Sequence, residues 1–186
     1  MAESIVFSGR IGEIVHTPQV DGRIFERYRR APGVRLIIVS PEGKILLTRE
    51  HRQESNSIDL RLPGGKVCDT IQAFTTLRES GPDILEAAKK AAIKEGMEET
   101  GLEIRNPELV TITHAGATVE WDLYYFSVRD YSELPTGQQL ELGEEITVSW
   151  LSATEVRSAI ADGQMQEWNS VGVLLGLVLP GLEALK

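Results

Sequence analysis

The chain has a single cysteine among its 186 residues, which excludes an internal disulfide and a cysteine zinc cluster. We expect Cys68 to be a small buried hydrophobe. No stretch approaches the roughly 18 apolar residues that span a bilayer, and the N-terminus lacks the basic start and long apolar run of a signal peptide. We therefore expect a cytoplasmic protein without a membrane partner.

Positive charge is also scarce. The 19 lysine and arginine residues are outnumbered by 28 acidic residues, which gives a formal net charge of −9. We do not expect a nucleic-acid partner, because such binding depends on basic side chains that neutralise phosphates. A small phosphorylated ligand is compatible, since a divalent cation can reverse the field of an acidic cleft. The acidity indicates either ordinary solubility or metal-dependent chemistry.

The order of apolar runs and turns predicts a mixed fold. The length and the 41% hydrophobic content fit one domain with a sizeable core. Paired strands are predicted before residue 33, then a hairpin over residues 34–52 around the turn SPEG. A short strand ending in PGG precedes a loop with a short helix. Further strands and two C-terminal helices follow a long helix, so we predict an α/β fold with helices covering a sheet.

One later segment, TVEWDLYYF at residues 118–126, alternates in polarity. Trp121, Leu123 and Tyr125 would lie on one face, and Glu120 and Tyr124 on the other. This pattern predicts a single half-buried strand.

The long helix carries an acidic cluster. Asp83 suits its N-cap and Gly101 its C-terminus. Spacings of three and four place Glu95, Glu98 and Glu99 on one face, where like charges cost roughly 0.2–0.5 kcal/mol per pair. A solvated face would account for them. The preceding PGG turn and the acidic segment LELGEE downstream favour a ring of metal ligands instead.

At these residues the sequence resembles the Nudix hydrolase family, whose signature is G-x5-E-x7-R-E-U-x-E-E-x-G-U, with U an aliphatic residue. The matching positions are Glu86, Glu95, Glu98, Glu99, Gly101 and Leu102. Gly65 matches the leading glycine if about fifteen residues are inserted before Glu86. Lys94 stands where the family has arginine, and Gly96 where it has an aliphatic residue. Glu86 either caps the helix or belongs to the site.

Flanking segments resemble the ADP-ribose pyrophosphatase-like branch of that family. Arg52 in LLTREHR matches an arginine that ends a strand, and HAGATVE matches a glycine followed by glutamate at Gly116 and Glu120. The resemblance implies that Arg52 clamps a diphosphate and that Glu120 contacts substrate. It divides the chain into an N-terminal strand arm, residues 1–30, and a Nudix domain, residues 31–186.

The resemblance also implies a fold and a cofactor. The expected fold is a Nudix-type α/β/α sandwich with a mixed sheet, preceded by N-terminal β-strands. Glu95, Glu98 and Glu99, with the Gly65 carbonyl, would hold Mg²⁺ or Mn²⁺, whose attraction would offset the repulsion between the carboxylates.

The catalytic base of the resembled branch is often a glutamate on the loop before the last strand. Glu141, Glu144 and Glu145 are the candidates, with Glu144 preferred. Glu98 on the helix is the first alternative. Such a base would activate water for attack on phosphorus while the metal neutralises the diphosphate.

The expected activity is metal-dependent cleavage of ADP-ribose or another nucleoside diphosphate sugar. The alternatives are a nucleoside triphosphate or dinucleotide pyrophosphatase, and a Nudix-derived module that binds a nucleotide without cleaving it. The resemblance further implies a homodimer formed through the N-terminal strands. Phe25 and Tyr28 would either stack on a nucleobase across that dimer or pack in the core.

Overall fold

The computed structural model describes residues 2–52, 57–81 and 83–183. Within these ranges there are twelve β-strands: β1 (Ser4–Ser8), β2 (Gly12–Pro18), β3 (Ile24–Arg30), β4 (Gly33–Ile38), β5 (Ile45–Arg52), β6 (Ser57–Arg61), β7 (Leu102–Arg105), β8 (Glu108–His114), β9 (Val119–Glu120), β10 (Asp122–Val128), β11 (Asp130–Glu133) and β12 (Ile146–Leu151). The same ranges contain five α-helices: α1 (Ile71–Ser80), α2 (Ile84–Thr100), α3 (Ala153–Ala161), α4 (Trp168–Val173) and α5 (Leu179–Glu183). A π-helical segment, Leu174–Val178, joins α4 to α5. None of the helices in this part of the chain is long and apolar enough to cross a membrane.

The N-terminal strands form a sheet of their own, in the order β1-β2-β3-β9. The first three strands pair antiparallel, and the short β9 joins β3 in parallel. β1 lies at the edge, and all of its residues are exposed. The prediction of paired strands ahead of the main core is confirmed.

The central sheet has the order β4-β10-β8, with β4 and β10 parallel and β8 antiparallel. Every residue of β4 is buried, because helices cover both faces. Leu36 shares a hydrophobic cluster with Ala88 and Ala92 of α2, whereas Ile37 shares one with Leu174 from the C-terminal helical segments. The predicted α/β/α sandwich with a mixed sheet is confirmed.

The predicted hairpin over residues 34–52 is wrong. In the described part of the chain, β4 and β5 meet at an isolated bridge between Val39 and Ile45 and otherwise belong to different sheets. β5 is the middle strand of the antiparallel sheet β12-β5-β6. The turn brings the ends of two apolar strands together, but each strand pairs along its length with other strands, β4 with β10 and β5 with β12 and β6.

The single strand predicted over residues 118–126 is divided at Trp121, with β9 in the N-terminal sheet and β10 in the central sheet. Tyr124, predicted on the polar face, is 8% exposed and packs in the cluster of Phe126 and α2. β10 is covered on both sides, so the alternation of polarity does not correspond to burial there.

Helix α2 has the ends that the sequence predicts. The Asp83 side chain accepts a hydrogen bond from the Leu85 N–H at 2.9 Å. Gly101 takes the left-handed conformation, with φ of 71°, and its N–H donates to the Met97 carbonyl. These ends set the phase in which the glutamates of α2 meet the rest of the fold.

Gly96 allows α2 to lie close to its neighbours. A Cβ at this position would lie 2.7 Å from Ile104 Cγ1 and 2.9 Å from Leu36 Cδ1. The glycine that replaces the family's aliphatic residue is therefore required by packing, since a larger side chain would displace both neighbours.

The insertion after Gly65 contains α1, which confirms the predicted short helix. Ile71 and Phe74 of α1 pack with Ala31 in a small hydrophobic cluster. Cys68 packs against the edge of this cluster. It was expected to be buried, but it is only half-buried.

Candidate active site

A cavity of about 360 Å³ opens where the start of β4, the Gly64–Gly65 turn and the C-terminal half of α2 meet. It is strongly charged. Six acidic residues line it, Glu50, Asp69, Glu95, Glu99, Glu141 and Glu144, together with five basic residues, Arg30, Arg35, Arg61, Lys66 and Lys94. Gly33, Gly64, Gly65 and Trp121 complete the wall. Such a mixture suits a ligand that carries both anionic groups and a cation.

The glycine turn brings the backbone against two carboxylates of α2. Glu99 Oε2 accepts a hydrogen bond of 2.7 Å from the Gly64 N–H. A Cβ on Gly65 would overlap the Glu95 carboxylate, and one on Gly64 would overlap the Val34 carbonyl. Gly64 also has a φ of 144°, which side-chain-bearing residues rarely adopt. Both glycines are therefore needed for this close approach.

Burial shifts the protonation of these two glutamates. The pKa of Glu99 is raised to about 8: burial is the main cause and the charges of Glu95 and Glu50 add to it, whereas the hydrogen bond from the Gly64 N–H and the charge of Arg35 act in the opposite direction. Burial also raises the pKa of Glu95. The cavity thus holds two carboxylates that are costly to ionise together, and a bound cation would remove that cost.

The predicted metal ligands are only partly brought together. Glu95 and Glu99 both line the cavity, whereas Glu98 does not. Its carboxylate forms an ion pair of 2.6 Å with Lys94 Nζ. The Gly65 carbonyl accepts the Val34 N–H at 2.9 Å and retains a second lone pair. Among the described residues, no three acidic, histidine or cysteine side chains are already arranged around a metal position.

The donor set nonetheless fits a hard divalent ion. Two carboxylates and a backbone carbonyl are the oxygen ligands that Mg²⁺ and Mn²⁺ prefer. Glu95 and Glu99 lack a cationic side chain bonded to them in the described structure, since Lys94 is bonded to Glu98. A metal ion would supply that missing positive charge.

The LELGEE loop contributes two of its three glutamates to the cavity. Glu141 and Glu144 line it and Glu145 does not, although all three side chains are exposed. Glu144 Oε2 accepts a hydrogen bond of 3.0 Å from the Glu141 N–H, which holds its carboxylate within the loop. The structure therefore leaves Glu144 and Glu141 as candidates that face the cavity.

A buried arginine network forms the opposite wall, and the sequence reasoning missed it. Arg35 Nε and Nη2 donate to the two oxygens of Glu167 at 2.7 and 2.5 Å. Arg61 Nη2 reaches the same carboxylate at 3.4 Å, and its Nη1 donates to Glu50 at 3.2 Å. A charged residue inside the apolar run VRLIIV was the available signal, because a buried charge requires a partner.

A second feature missed from the sequence is a cation–π pair. The Arg30 guanidinium lies 4.5 Å from the ring centroid of Trp121, and both residues line the cavity. No local pattern connects them, since they come from β3 and from the break between β9 and β10.

One of the two predicted substrate ligands, Glu120, does not line the cavity. Glu120 is held by Arg27 Nε and Arg29 Nε, each at 2.8 Å, beside the cavity and not in its lining. The Arg52 side chain lies outside the described residues. Glu86 is exposed at the start of α2 and does not line the cavity either. The predicted roles of Glu120 and Arg52 stay predictions.

The aromatic residues of β3 also lie elsewhere. The Tyr28 ring covers Gly12, where a Cβ would overlap it, and Phe25 is half-buried in the N-terminal sheet. Neither lines the cavity.

Comparison with known proteins gives the class to which this fold and site belong. A family model described as the NUDIX domain matches residues 29–170, so the chain belongs to the Nudix family. It is a hydrolase that acts on phosphoanhydride bonds. A search of curated proteins finds no match.

A solved structure shares the fold. It is described as the "Crystal structure of ADP compounds hydrolase", and it is 18% identical to this chain with a TM-score of 0.69. The match covers 100% of this chain and 94% of that one. The two proteins therefore have the same fold along the whole of the present sequence.

Proposed function

We propose that this protein is a divalent-metal-dependent pyrophosphohydrolase that cleaves the diphosphate of ADP-ribose or another nucleoside diphosphate sugar. The observation that carries the proposal is the half-buried Glu95–Glu99 pair, packed against the Gly64–Gly65 turn in a cavity lined by arginines. The fold shared with a solved ADP compounds hydrolase supports the choice of substrate class.

Glu95 and Glu99 would hold Mg²⁺ or Mn²⁺, with the Gly65 carbonyl as a further ligand. Glu98 would join them by leaving Lys94, to which it is bonded at 2.6 Å. When bound, the metal supplies charge neutralisation for the diphosphate and a water molecule of lowered pKa. Lys94 would then be available to a phosphate or to Glu141, which also lines the cavity and whose charge acts on Lys94.

Glu144 is the proposed general base. It would take a proton from the attacking water as the new oxygen–phosphorus bond forms and the bridging oxygen–phosphorus bond breaks, with the electron pair leaving on the bridging oxygen. Its position on the cavity wall supports this role, whereas Glu145 does not line the cavity and lacks that support. Glu141 and Glu98 are the alternatives.

The remaining site roles rest on the family resemblance. Arg52 would clamp the diphosphate, because a guanidinium matches phosphate oxygens in pairs. Glu120 would have to exchange one of its bonds to Arg27 and Arg29 for a bond to substrate.

We also propose a cytoplasmic homodimer in which residues 1–30 form the dimerisation arm and residues 31–186 the catalytic domain. Exposed apolar side chains on the N-terminal sheet support this assembly. Ile5, Val6, Phe7 and Ile24 are each more than half exposed. Exposed apolar side chains of this kind are common at protein–protein interfaces.

A substrate panel tests the proposal. ADP-ribose, other nucleotide sugars, dinucleotides and nucleoside triphosphates are incubated with Mg²⁺ or Mn²⁺, and phosphate is measured after treatment with a phosphatase. We expect turnover of ADP-ribose or a nucleotide sugar, and none in chelator. Preferred turnover of triphosphates or dinucleotides would replace the substrate assignment. Tight nucleotide binding without any turnover would show a binding module.

A further inference from the structure

Two arginines of the cavity carry buried Nε atoms without a hydrogen-bond partner. In residues 2–52, 57–81 and 83–183, the buried side-chain polar atoms in this state are Arg30 Nε, Arg61 Nε and Thr113 Oγ1. Nearly all buried donors in proteins are paired, so each unpaired donor beside a cavity calls for an explanation, and a bond to a ligand is one of them.

Arg30 differs from the other cavity arginines in its partners. Arg35 is neutralised by Glu167, and Arg61 by Glu50 and Glu167. The Arg30 guanidinium has no carboxylate partner in the described part of the chain, and its recorded contact is with the ring of Trp121. Its charge is therefore available to an anion in the cavity.

Trp121 holds this guanidinium next to the proposed metal ligands. A Cβ built on Gly33 would lie 3.7 Å from Trp121 Nε1 and 3.1 Å from the Gly65 carbonyl oxygen, so the indole and that carbonyl flank the same point. The Glu95 carboxylate packs directly on Gly65. An anion bound between Arg30 and Gly65 would therefore border on the cation that Glu95 and Glu99 are proposed to hold.

We propose that Arg30 binds a phosphate oxygen of the substrate's diphosphate and that Trp121 is a positioning residue which fixes the plane of its guanidinium. That this phosphate belongs to a nucleoside diphosphate rests on the proposed function. A guanidinium presents its N–H groups in a planar fork that matches phosphate oxygens, and a ring below it restricts its rotation. Arg30 and Trp121 both line the cavity in this arrangement.

Binding of ADP and of inorganic pyrophosphate, measured by calorimetry in Mg²⁺, tests the proposal. Arg30→Gln should lower the affinity for both ligands by about tenfold or more, because a charge-assisted hydrogen bond is lost. Arg30→Lys should recover part of the loss, and Trp121→Phe should fall between wild type and Arg30→Gln. The control is Arg129→Gln, an exposed arginine outside the cavity, which should bind like wild type.

Two further readouts separate a phosphate contact from loss of structure. Mn²⁺ affinity and the thermal melting temperature of Arg30→Lys should match those of wild type. The proposal would be overturned if Arg30→Gln bound pyrophosphate with wild-type affinity. It would also be overturned if Arg30→Gln bound Mn²⁺ so much more weakly that this loss alone explained its weaker binding of pyrophosphate.

Kinetics distinguish this inference from the proposed function. With ADP-ribose as substrate, Arg30→Gln should raise KM about tenfold and change kcat little, since the contact is made before and during the reaction. Suppose that the wild type turned over no substrate of the panel but bound pyrophosphate, and that Arg30→Gln lost this binding. The proposed substrate hydrolysis would then fail, and this inference would stand. Unchanged KM in an active variant would reject the inference alone.

Discussion

Divalent-metal binding to this cavity should become tighter as the pH rises from 6 to 8. Burial raises the pKa of Glu99 from 4.5 to about 8, so near neutral pH its carboxyl group is largely protonated without metal. A metal ligand must be deprotonated, and the proton competes with the ion. With a pKa of about 8, the apparent affinity at pH 6 should be about 100-fold below its high-pH limit. Glu95, whose pKa is also raised by burial, would make the dependence steeper.

Calorimetric titration of Mn²⁺ in buffers of different ionisation heat measures both the affinity and the number of protons released. We expect release of about one proton or more per ion at pH 6 and almost none at pH 9. Glu99→Gln should bind Mn²⁺ weakly and lose most of the pH dependence, since an amide does not titrate in this range. Glu79→Gln, at an exposed position on α1, is the matched control and should keep both.

The sign of the stability change provides an independent check. The unfolded chain loses the Glu99 proton near pH 4.5, whereas the metal-free folded protein retains it up to about pH 8. The free energy of unfolding should therefore decrease with rising pH across this window and level off above it. Mn²⁺ should reverse the decrease. An affinity for Mn²⁺ that does not vary between pH 6 and 8, or a wild-type pH dependence in Glu99→Gln, would refute the assignment of Glu99 as a buried, protonated ligand.

Three further predictions follow from the site and its supports. Lys94→Arg should keep or raise kcat, because arginine restores the planar, two-pronged group that the Nudix signature has at this position; a large loss of kcat with unchanged folding would show a site built around lysine. Glu144→Gln should lower kcat by about 10²–10⁴-fold with Mn²⁺ affinity unchanged, while Glu141→Gln and Glu145→Gln should cost much less; a larger loss in one of those two would move the base to that residue, and near-native rates in all three variants would favour Glu98 as the base. Gly96→Val should lower the free energy of unfolding by about 1–3 kcal/mol in urea titrations, because its side chain would enter space that Ile104 occupies; unchanged stability would mean that α2 can shift outward.

The parts of the site that the sequence predicts are those fixed by local spacing. Glu95 and Glu99 lie one helical turn apart, so any helix in this phase brings them to one face. The caps at Asp83 and Gly101 are equally local, because each depends on a few neighbouring residues. The role of Gly65 was expected from the family resemblance instead, and the structure gives its physical reason, since the backbone approaches Glu95 too closely for a side chain.

The parts that could not be predicted depend on contacts across the chain. Arg35 and Glu167 are separated by 132 residues, and no periodicity links them. The hairpin prediction failed for the same reason, since β4 takes β10 as its partner instead of its neighbour β5. Likewise, Glu98 keeps the helical phase expected of it, yet the direction of its carboxylate depends on where Lys94 extends.

The Arg35–Glu167 ion pair has a consequence for the order in which the protein can mature on the ribosome. Arg35 emerges 132 residues before its carboxylate partner, and its position in β4 is almost completely buried. A buried guanidinium without its partner is strongly destabilising. The central strand therefore cannot settle at low cost until α4 has been synthesised, and the cavity becomes competent only near the end of translation. Nascent chains halted before Glu167 should be more sensitive to proteases than the full-length chain. Because their cavity is incomplete, they should also bind metal and nucleotide poorly.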